Sequence, residues 1–392
     1  MKSNPGGQLP VCEIIGRDDF ICRLWAIIAR QSLVLTAERR MGKTHIVKKM
    51  MSAVPSGILA IPGNSTPRDL EKVHTSLEFV ESVFFDVEAY LSRQRRTAEK
   101  ARRFLRQISG AEFKGFKFPT LTAPHWKTLL AEIIEDLMAQ QDRLVIFFWD
   151  ELPLMLFNIK EREGEQTAME VLDILRSLRQ MHPKIRMVFT GSIGLHLLIS
   201  SLRRSGYAND PTNDMDTEDV EPLEFPHAVN LALLLLKGEN ITGDDLEKAA
   251  KEIAVAVDGI PHYIHHVVDQ IKSLGGRTSP DIVERVVSTC LTDSNDRWHM
   301  SYYRERLDTY YEAEERRFAL RILDVLCVSN ETLTFPELFN LVKSQVVTED
   351  SEAVHNVLTK LRRDHYVAQD KNGKFSFRFS LIQRSWRLQR GL

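Results

Sequence analysis

The feature that most constrains this chain is the stretch Ser32–Lys49, where an apolar run leads into a short loop ending in Gly-Lys-Thr. The apolar residues predict a strand, and a helical pattern follows the loop at once. A strand, a loop and a helix N-terminus in this order form a phosphate-binding loop (P-loop), because backbone N–H groups and the helix dipole favour an anion there. The stretch therefore predicts a nucleotide site.

The residues of this loop have distinct expected roles. Lys43 is expected to reach the β- and γ-phosphates, and the Thr44 hydroxyl is expected to hold Mg²⁺. One residue departs from the motif G-x-x-x-x-G-K-[ST], since Ala37 stands where the first glycine belongs; the loop tolerates alanine if φ is negative there. The predicted nucleotide-binding residues of the loop are Ala37, Arg39, Arg40, Met41, Gly42, Lys43, Thr44 and His45.

An acidic strand about a hundred residues later supplies a second element. Residues 143–151 form an apolar run that ends in Asp150 and Glu151, and such runs suit strands buried in a parallel sheet. Asp150 is predicted to bind Mg²⁺ as a Walker B residue, and Glu151 to activate water as a general base. Alone, this pair is more typical of a solvated turn. A further strand ends in Thr190-Gly191-Ser192, and Ser192 is predicted to meet the γ-phosphate or the attacking water.

Composition limits the class of protein. The 392 residues carry a net charge of −2, so any contact with nucleic acid has to come from local patches. The four cysteines are scattered and the N-terminal residues lack the apolar segment of a signal peptide, as expected for a cytoplasmic protein. The apolar runs are also shorter than the roughly 18–20 residues of a membrane helix, so no membrane contact is expected.

Strands alternating with helices predict a parallel α/β core, followed by an all-helical part. Residues 83–87 are predicted as a strand, residues 55–67 as a loop and residues 220–225 as a fifth short strand. The predicted domains are a disordered lead at 1–12, an ATPase core at 13–225, a helical lid at 226–292, a connector helix at 293–317 and a winged-helix domain at 318–392.

Two basic segments raise the question of nucleic acid. The insertion at 92–118 is predicted either to contact nucleic acid or an acidic partner, or to be a solvated helix face. The last part of the chain reads as three helices and a hairpin around Asn372-Gly373, which is the order of a winged helix. Its basic residues between 360 and 390 predict duplex DNA contact, although winged helices also dock proteins.

We expect His262, His265 and His266 to be surface histidines of a helix.

These motifs in this order resemble the archaeal-type P-loop ATPases, which are related to STAND signalling ATPases and to the AAA+ origin-recognition proteins. The resemblance covers nearly the whole chain, and the paired arginines before Met-Gly-Lys-Thr are its most specific mark. It implies that Glu151 is the base, that a sensor lies at Thr190–Ser192, and that Gly16, Arg17 and Pro261 lie near the adenine. It does not assign an arginine finger, for which Arg203, Arg204, Arg176 and Arg179 compete.

The resulting functional prediction is an ATP-dependent molecular switch that binds ATP and Mg²⁺ and hydrolyses ATP, slowly or on stimulation by a partner. Nucleotide state would be coupled to the winged helix, in a regulatory or defence complex with a companion protein and with self-association as a further option. Two alternatives are a DNA-binding regulator or loader with structural ATP, and a scaffold that does not hydrolyse ATP.

Overall fold

The structure is a computed structural model that describes residues 1–92, 99, 101, 125–191, 194–329, 331–346 and 348–392. The chain divides into two compact units. The sheet unit comprises Asp19–Thr36 and Lys43–Asp219, and the helical unit comprises Met1–Asp18, Ala37–Gly42 and Val220–Leu392. The predicted domain boundaries remain a prediction.

The sheet unit is built on a sheet in which every described pairing is parallel. Its strands are β1 (Ser32–Thr36), β2 (Ile58–Ile61), β3 (Arg68–Asp69), β4 (Leu144–Asp150), β5 (Ile185–Thr190) and β6 (Met215–Asp219). The spatial order is β2-β4-β5-β1-β6, and β3 also pairs with β4. Because β1 and β4 flank β5, the segments after β1, β4 and β5 start at one edge of the sheet.

Helices connect the strands that pair with each other in parallel, whereas β2 and β3, which both pair with β4, follow one another without a helix. The helices are α1 (Asp18–Ile28), α2 (Lys43–Ser52), α3 (Ser76–Val87), α4 (His125–Ala139), α5 (Leu152–Glu163), α6 (Glu165–Met181) and α7 (Leu195–Arg204). The centre of the core is Trp149, which is 2% exposed and lies with its ring 5.3 Å from that of Phe79 and 5.9 Å from that of Phe189. This aromatic packing fixes the end of β4, where the predicted metal and base residues begin.

Three predictions about this unit are wrong. Residues 83–87 belong to α3, because apolar residues at 79, 80, 83, 84 and 87 follow the helical period and Thr75 forms a capping box with Glu78. The predicted loop at 55–67 contains β2, which is short enough to escape the periodicity. Residues 220–225 do not form a strand; the last strand of the sheet, β6, ends just before them at Asp219, and it is a polar segment at the sheet edge.

After its first segments, the helical unit contains a group of helices in the part of the chain that the sequence predicts to be all helical. They are α8 (Phe225–Gly238), α9 (Leu246–Ala256), α10 (Pro261–Ser273), α11 (Pro280–Leu291) and α12 (Tyr302–Tyr310). Pro261 stands at the first turn of α10, where its missing N–H costs nothing. Within the described residues, every helix is too short or too polar to cross a bilayer.

The C-terminal segment (Ala313–Leu392) holds three helices, a hairpin and a last helix. They are α13 (Ala313–Val328), α14 (Phe335–Val346), α15 (Ser351–Arg363), β7 (Val367–Gln369), β8 (Phe375–Phe377) and α16 (Ser380–Arg390). The hairpin is antiparallel, and Leu333 adds a bridge to Phe375 on the other side of β8. This is the order of elements that the sequence predicts for a winged helix.

The predicted connector helix at 293–317 is wrong as a single element. Helix α12 ends at Tyr310, Tyr311 is extended, and Glu312 begins α13 through a capping box with Glu315. The cap satisfies the first N–H groups of α13, so it favours a new helix over continuation of the old one. Aromatic residues of this region are packed inside this unit, with Trp298, Tyr303 and Tyr311 buried.

The first twelve residues, predicted as a disordered lead, have defined contacts within the helical unit. The Ser3 N–H donates to Glu239 over 2.8 Å, and the Asn4 N–H donates to His265 Nδ1 over 3.1 Å. Lys272 lies 2.6 Å from Glu239 and, with Ser3, lowers the pKa of that carboxyl to about 2.

Candidate functional site

In the sheet unit, one carboxylate joins the start of α2 to the ends of β4 and β5. The Thr44 hydroxyl donates to Asp150 Oδ2 over 2.6 Å, and the Thr190 hydroxyl donates to Asp150 Oδ1. Lys43 is buried at the first position of α2. A threonine hydroxyl and a carboxylate in contact are the oxygen ligands that suit Mg²⁺ at a phosphate site. These side chains fit the predicted metal site.

Glu151, the predicted base, follows directly on β4 and has an unusual backbone. Its φ is +58°, in the left-handed region that a non-glycine residue rarely adopts, and its N–H donates to Asp150 Oδ1 over 3.1 Å. Such strain is often retained at functional sites because the surrounding structure holds it. The left-handed backbone marks a sharp turn of the chain directly after Asp150.

In the helical unit, the loop Ala37–Gly42 alternates between ordinary and left-handed backbone. Gly42 has φ +87° and Arg40 has φ +75°. Ala37 is not among the described residues with positive φ, so its methyl group meets the condition under which alanine can replace the first glycine. The departure from the P-loop motif is thus sterically accommodated in this structure.

Arg17 holds the loop from within the same unit. Its guanidinium donates to the Met41 carbonyl over 3.1 Å and to the Glu221 carbonyl over 2.9 Å. Burial lowers the Arg17 pKa to about 10, although Glu221 opposes the shift. Gly16 has φ +67°, and a Cβ there would lie 2.7 Å from the His227 side chain, so this segment needs glycine. Their predicted place near the adenine remains a prediction.

A buried ion pair at the loop was missed by the sequence analysis. Arg306 Nη1 lies 3.0 and 3.1 Å from the two oxygens of Glu38, and neither side chain is more than 5% exposed. Burial alone would lower the Arg306 pKa, but Glu38 and then Tyr366 and Asp364 outweigh it and hold that pKa well above its usual value. The only signal was a carboxylate directly after an apolar strand, and its partner lies 268 residues away.

The paired arginines of the loop face aromatic rings. The Arg39 guanidinium lies 4.4 Å from the centre of the Tyr302 ring, and that of Arg40 lies 5.5 Å from the centre of the Tyr263 ring. Arg40 Nη1 is buried without a hydrogen-bond partner among the described residues. Each contact uses the preference of guanidinium for an aromatic face.

The prediction that the histidines of α10 lie on the surface is wrong for His265, which is buried, and His262 and His266 are half-buried. His265 is 3% exposed, and His262 and His266 lie with ring centres 4.6 Å apart. Burial and then Arg40 lower the pKa of His262 to about 2 and that of His266 to about 4, so both are neutral near pH 7. In the part of the chain that is described, no cluster of three or more His, Cys, Asp or Glu residues is suited to a metal ion.

The remaining predicted residues have mixed outcomes. Ser192 and most of the basic insertion at 92–118 lie outside the described residues, and Thr190 is the described residue of the predicted sensor that contacts Asp150. Burial and then Lys48 lower the pKa of His45.

Among the arginine-finger candidates, Arg179 is buried with two nitrogens on Asp214, and Arg203 lies 3.3 Å from Asp210. Arg179 therefore has a structural partner.

Many of the basic side chains predicted to contact DNA already have partners inside the helical unit. The pairs are Lys360 with Glu315, Arg378 with Glu221, Arg384 with Glu284, Arg387 with the Cys327 carbonyl, and Arg390 with Asp324. Arg362 lies over the Phe375 ring. These contacts reduce the charge that this segment offers to phosphates.

The fold has similar solved structures. The Walker-type ATPase PABY2304 of Pyrococcus abyssi matches with a TM-score of 0.61 at 13% identity, over 95% of this chain and 96% of that chain. The Aeropyrum pernix ORC2 protein in its ADPNP–ADP complexes gives 0.48 at 12% identity over 95% and 92%, and Drosophila ORC bound to GC-rich DNA and Cdc6 gives 0.28 at 10% over 95% and 90%.

The first match shows a shared fold, and the α/β parallel-sheet P-loop fold class predicted from the sequence is confirmed; the other two are too weak to support an inference. No protein-family model matches the sequence. A comparison with curated proteins also gave no match.

Proposed function

We propose that this chain is an ATP-binding and ATP-hydrolysing molecular switch that couples nucleotide state to its C-terminal segment. The observation that carries the proposal is the contact of Thr44 Oγ1 with Asp150 Oδ2, 2.6 Å apart, beside the buried Lys43. It joins the two motifs that the sequence predicts separately. The fold shared with the Pyrococcus ATPase and the order of the sequence motifs support assignment to the archaeal-type P-loop ATPases, related to STAND and AAA+ proteins.

The proposed roles follow from chemistry. Lys43 and the N–H groups at the start of α2 bind the phosphates, and Thr44 and Asp150 hold Mg²⁺, which neutralises charge on the phosphates when bound. Glu151 takes the proton of the attacking water. Thr190, which donates to Asp150, keeps the carboxylate oriented. Turnover is slow or depends on a partner, which we propose is a companion protein in a regulatory or defence complex.

The ion pairs that basic residues of the C-terminal segment make within the helical unit favour protein docking over DNA binding as the output. A DNA-binding regulator needs several unpaired cations on one face, whereas Arg384 and Arg390 lie 2.6 and 2.7 Å from carboxylate oxygens. Steep salt dependence of binding to a duplex would support the DNA-binding alternative. Salt-insensitive or absent duplex binding would support a protein partner.

The test measures ATP binding and phosphate release by the full chain with Mg²⁺. Lys43→Ala should abolish binding, because it removes the cation at the phosphates. Lys49→Ala is the matched control, since it removes the same charge from the last turn of the same helix. Equal binding by both variants and the wild type would overturn the proposal. If the protein binds ATP but releases no phosphate, either alone or with partner proteins or DNA, the alternative of a scaffold that does not hydrolyse ATP would be supported.

A further inference from the structure

A chain of buried charges runs from the P-loop to the end of α15 within the helical unit. Arg306 contacts both oxygens of Glu38 and also lies 3.4 Å from Asp364 Oδ1. Asp364 follows the last residue of α15, and its side chain is 1% exposed. One guanidinium therefore contacts a carboxylate of the loop and a carboxylate of the C-terminal segment.

Glu38 also shapes the loop to which it belongs. Its Oε1 accepts the N–H of Arg39 over 2.7 Å, so one backbone donor of the loop is fixed by the residue before it. The centre of the Tyr302 ring lies 4.4 Å from the Arg39 guanidinium and 5.7 Å from that of Arg306, so both arginines contact the same ring. A shift of Glu38 would therefore change the backbone that is expected to surround the phosphates.

Asp364, which ends this network in the C-terminal segment, is held by a further contact besides the one with Arg306. The Tyr311 hydroxyl donates to Asp364 Oδ2, and Tyr366, over whose ring Arg306 lies, donates to the Tyr303 carbonyl over 2.6 Å. These tyrosines are buried, and burial is the largest cause of their raised pKa values, so their hydroxyls stay protonated as donors. Asp364 thus has a fixed orientation toward Arg306.

The burial of all three charges makes their positions interdependent. A buried charge that loses its partner is costly, whereas the same loss on the surface is almost free. A movement of α15 that withdraws Asp364 would leave Arg306 with one carboxylate instead of two, and so would change how it holds Glu38. By reciprocity, any ligand that alters the loop would alter the preference of Arg306 for Asp364.

We infer that Arg306 is a positioning residue of the proposed nucleotide site, which holds the P-loop through Glu38 and ties its shape to the C-terminal segment through Asp364. The inference rests on the proposed ATP site and adds the route by which nucleotide state reaches α15. A partner that binds the C-terminal segment and displaces Asp364 would thereby weaken nucleotide binding.

A double-mutant cycle tests the route. The full-length wild type, Glu38→Gln, Asp364→Asn and the double variant are titrated with a fluorescent ATP analogue in the presence of Mg²⁺. We expect Asp364→Asn to raise Kd by about fivefold or more, as is typical of coupling between sites. In the Glu38→Gln background the same change should alter Kd by less than about twofold, because its effect passes through Glu38.

The matched control is Asp324→Asn. Asp324 is also a buried aspartate of the C-terminal segment, but among the described residues its hydrogen bonds and ion pairs go to Arg321, Trp386 and Arg390, not to Arg306 or Glu38. It should change thermal stability without changing Kd. An unchanged or lowered Kd for Asp364→Asn, or equal effects of Asp364→Asn in both backgrounds, would overturn the inference.

A second measurement does not require nucleotide. Hydrogen exchange of the loop peptide 38–42 should be accelerated by Asp364→Asn, and by the milder Tyr311→Phe, but not by Asp324→Asn. If hydrogen exchange of the loop peptide is unchanged in a folded Asp364→Asn protein, the inference is overturned. A failure of the proposed function can be told apart from a failure of this inference. In the first case, the Lys43→Ala variant would bind the ATP analogue as well as the wild type does.

Discussion

Thr44 and Asp150, which are 106 residues apart in the chain, are joined by a hydrogen bond of 2.6 Å from the threonine hydroxyl to a carboxylate oxygen. The contact brings the first turn of α2 to the end of β4 across the central strands of the sheet. It joins two sequence motifs at the Mg²⁺ site that we propose.

The first prediction concerns the hydroxyl of Thr44. Thr44→Ala should weaken Mg²⁺-dependent ATP binding by about tenfold or more, since a polar contact to a charged group is worth about 1.5–3 kcal/mol. Thr44→Ser keeps the hydroxyl and should stay within about threefold of the wild type. Calorimetric titration at several Mg²⁺ concentrations measures this, and equal Mg²⁺ dependence in both variants would argue against Thr44 as a ligand.

The second prediction separates binding from hydrolysis at Glu151. Glu151→Gln removes the proton acceptor and should lower the rate of phosphate release by about 10²-fold to 10⁴-fold, while nucleotide affinity remains near that of the wild type. The amide is close to the carboxylate in size, so the backbone at φ +58° should be retained. Single-turnover measurements with bound ATP give the chemical step. A rate like that of the wild type would exclude Glu151 as the base.

The third prediction concerns the departure at Ala37. Since Ala37 does not have a positive φ, Ala37→Gly should leave nucleotide affinity unchanged within about twofold. It should destabilise the fold by about 0.4–1 kcal/mol, because glycine adds conformational entropy to the unfolded chain. Denaturant unfolding and ATP titration together test this. A clear gain in affinity would mean that the methyl group hinders phosphate binding.

The fourth prediction follows from His262. Its folded-state pKa of about 2 lies below the ordinary value of 6.5, because it is buried and faces Arg40, His266, His265 and His299. Between these values the unfolded chain binds the extra proton, so stability falls as the pH is lowered from 6.5, by up to about 1.4 kcal/mol per pH unit for each such group.

His262→Gln should reduce this acid sensitivity. The measurement is the thermal midpoint of each protein from pH 7.5 to pH 4.5, which stays above the range where carboxylates dominate. His74→Gln replaces an exposed histidine and serves as the control, with an expected pH profile like that of the wild type. Parallel profiles for His262→Gln and the wild type would contradict the pKa assignment.

Local patterns predicted much of the fold. The helices from α8 to α11, the hairpin at Asn372-Gly373 and the strands β1, β4 and β5 follow from periodicity and turn chemistry that neighbouring residues carry. Residues 83–87 were misread because their aromatic and β-branched residues favour a strand, while the spacing over the whole of α3 favours a helix. The spacing over the whole segment decides the secondary structure, because packing buries one face of the helix.

The candidate site was predictable only in part, because some of its residues belong to no local motif. Lys43, Thr44, Asp150 and Glu151 stand in recognisable motifs, whereas Glu38 and Arg306 have no motif and are related only through tertiary contact. The burial of the α10 histidines was also hidden, because polar residues at a helix start are usually solvated and only the packing around Arg40 shows otherwise.

The assignment of the loop Ala37–Gly42 to the helical unit has a practical consequence for dissecting this protein. A fragment cut after Asp219 would retain every strand of the parallel sheet, yet its Glu38 would lack Arg306, the cation that neutralises it. Its Arg17, which donates to the Met41 carbonyl, would lose its second acceptor, the Glu221 carbonyl. Such a fragment would be a poor surrogate, and weak nucleotide binding by it would report a missing scaffold, not a missing activity.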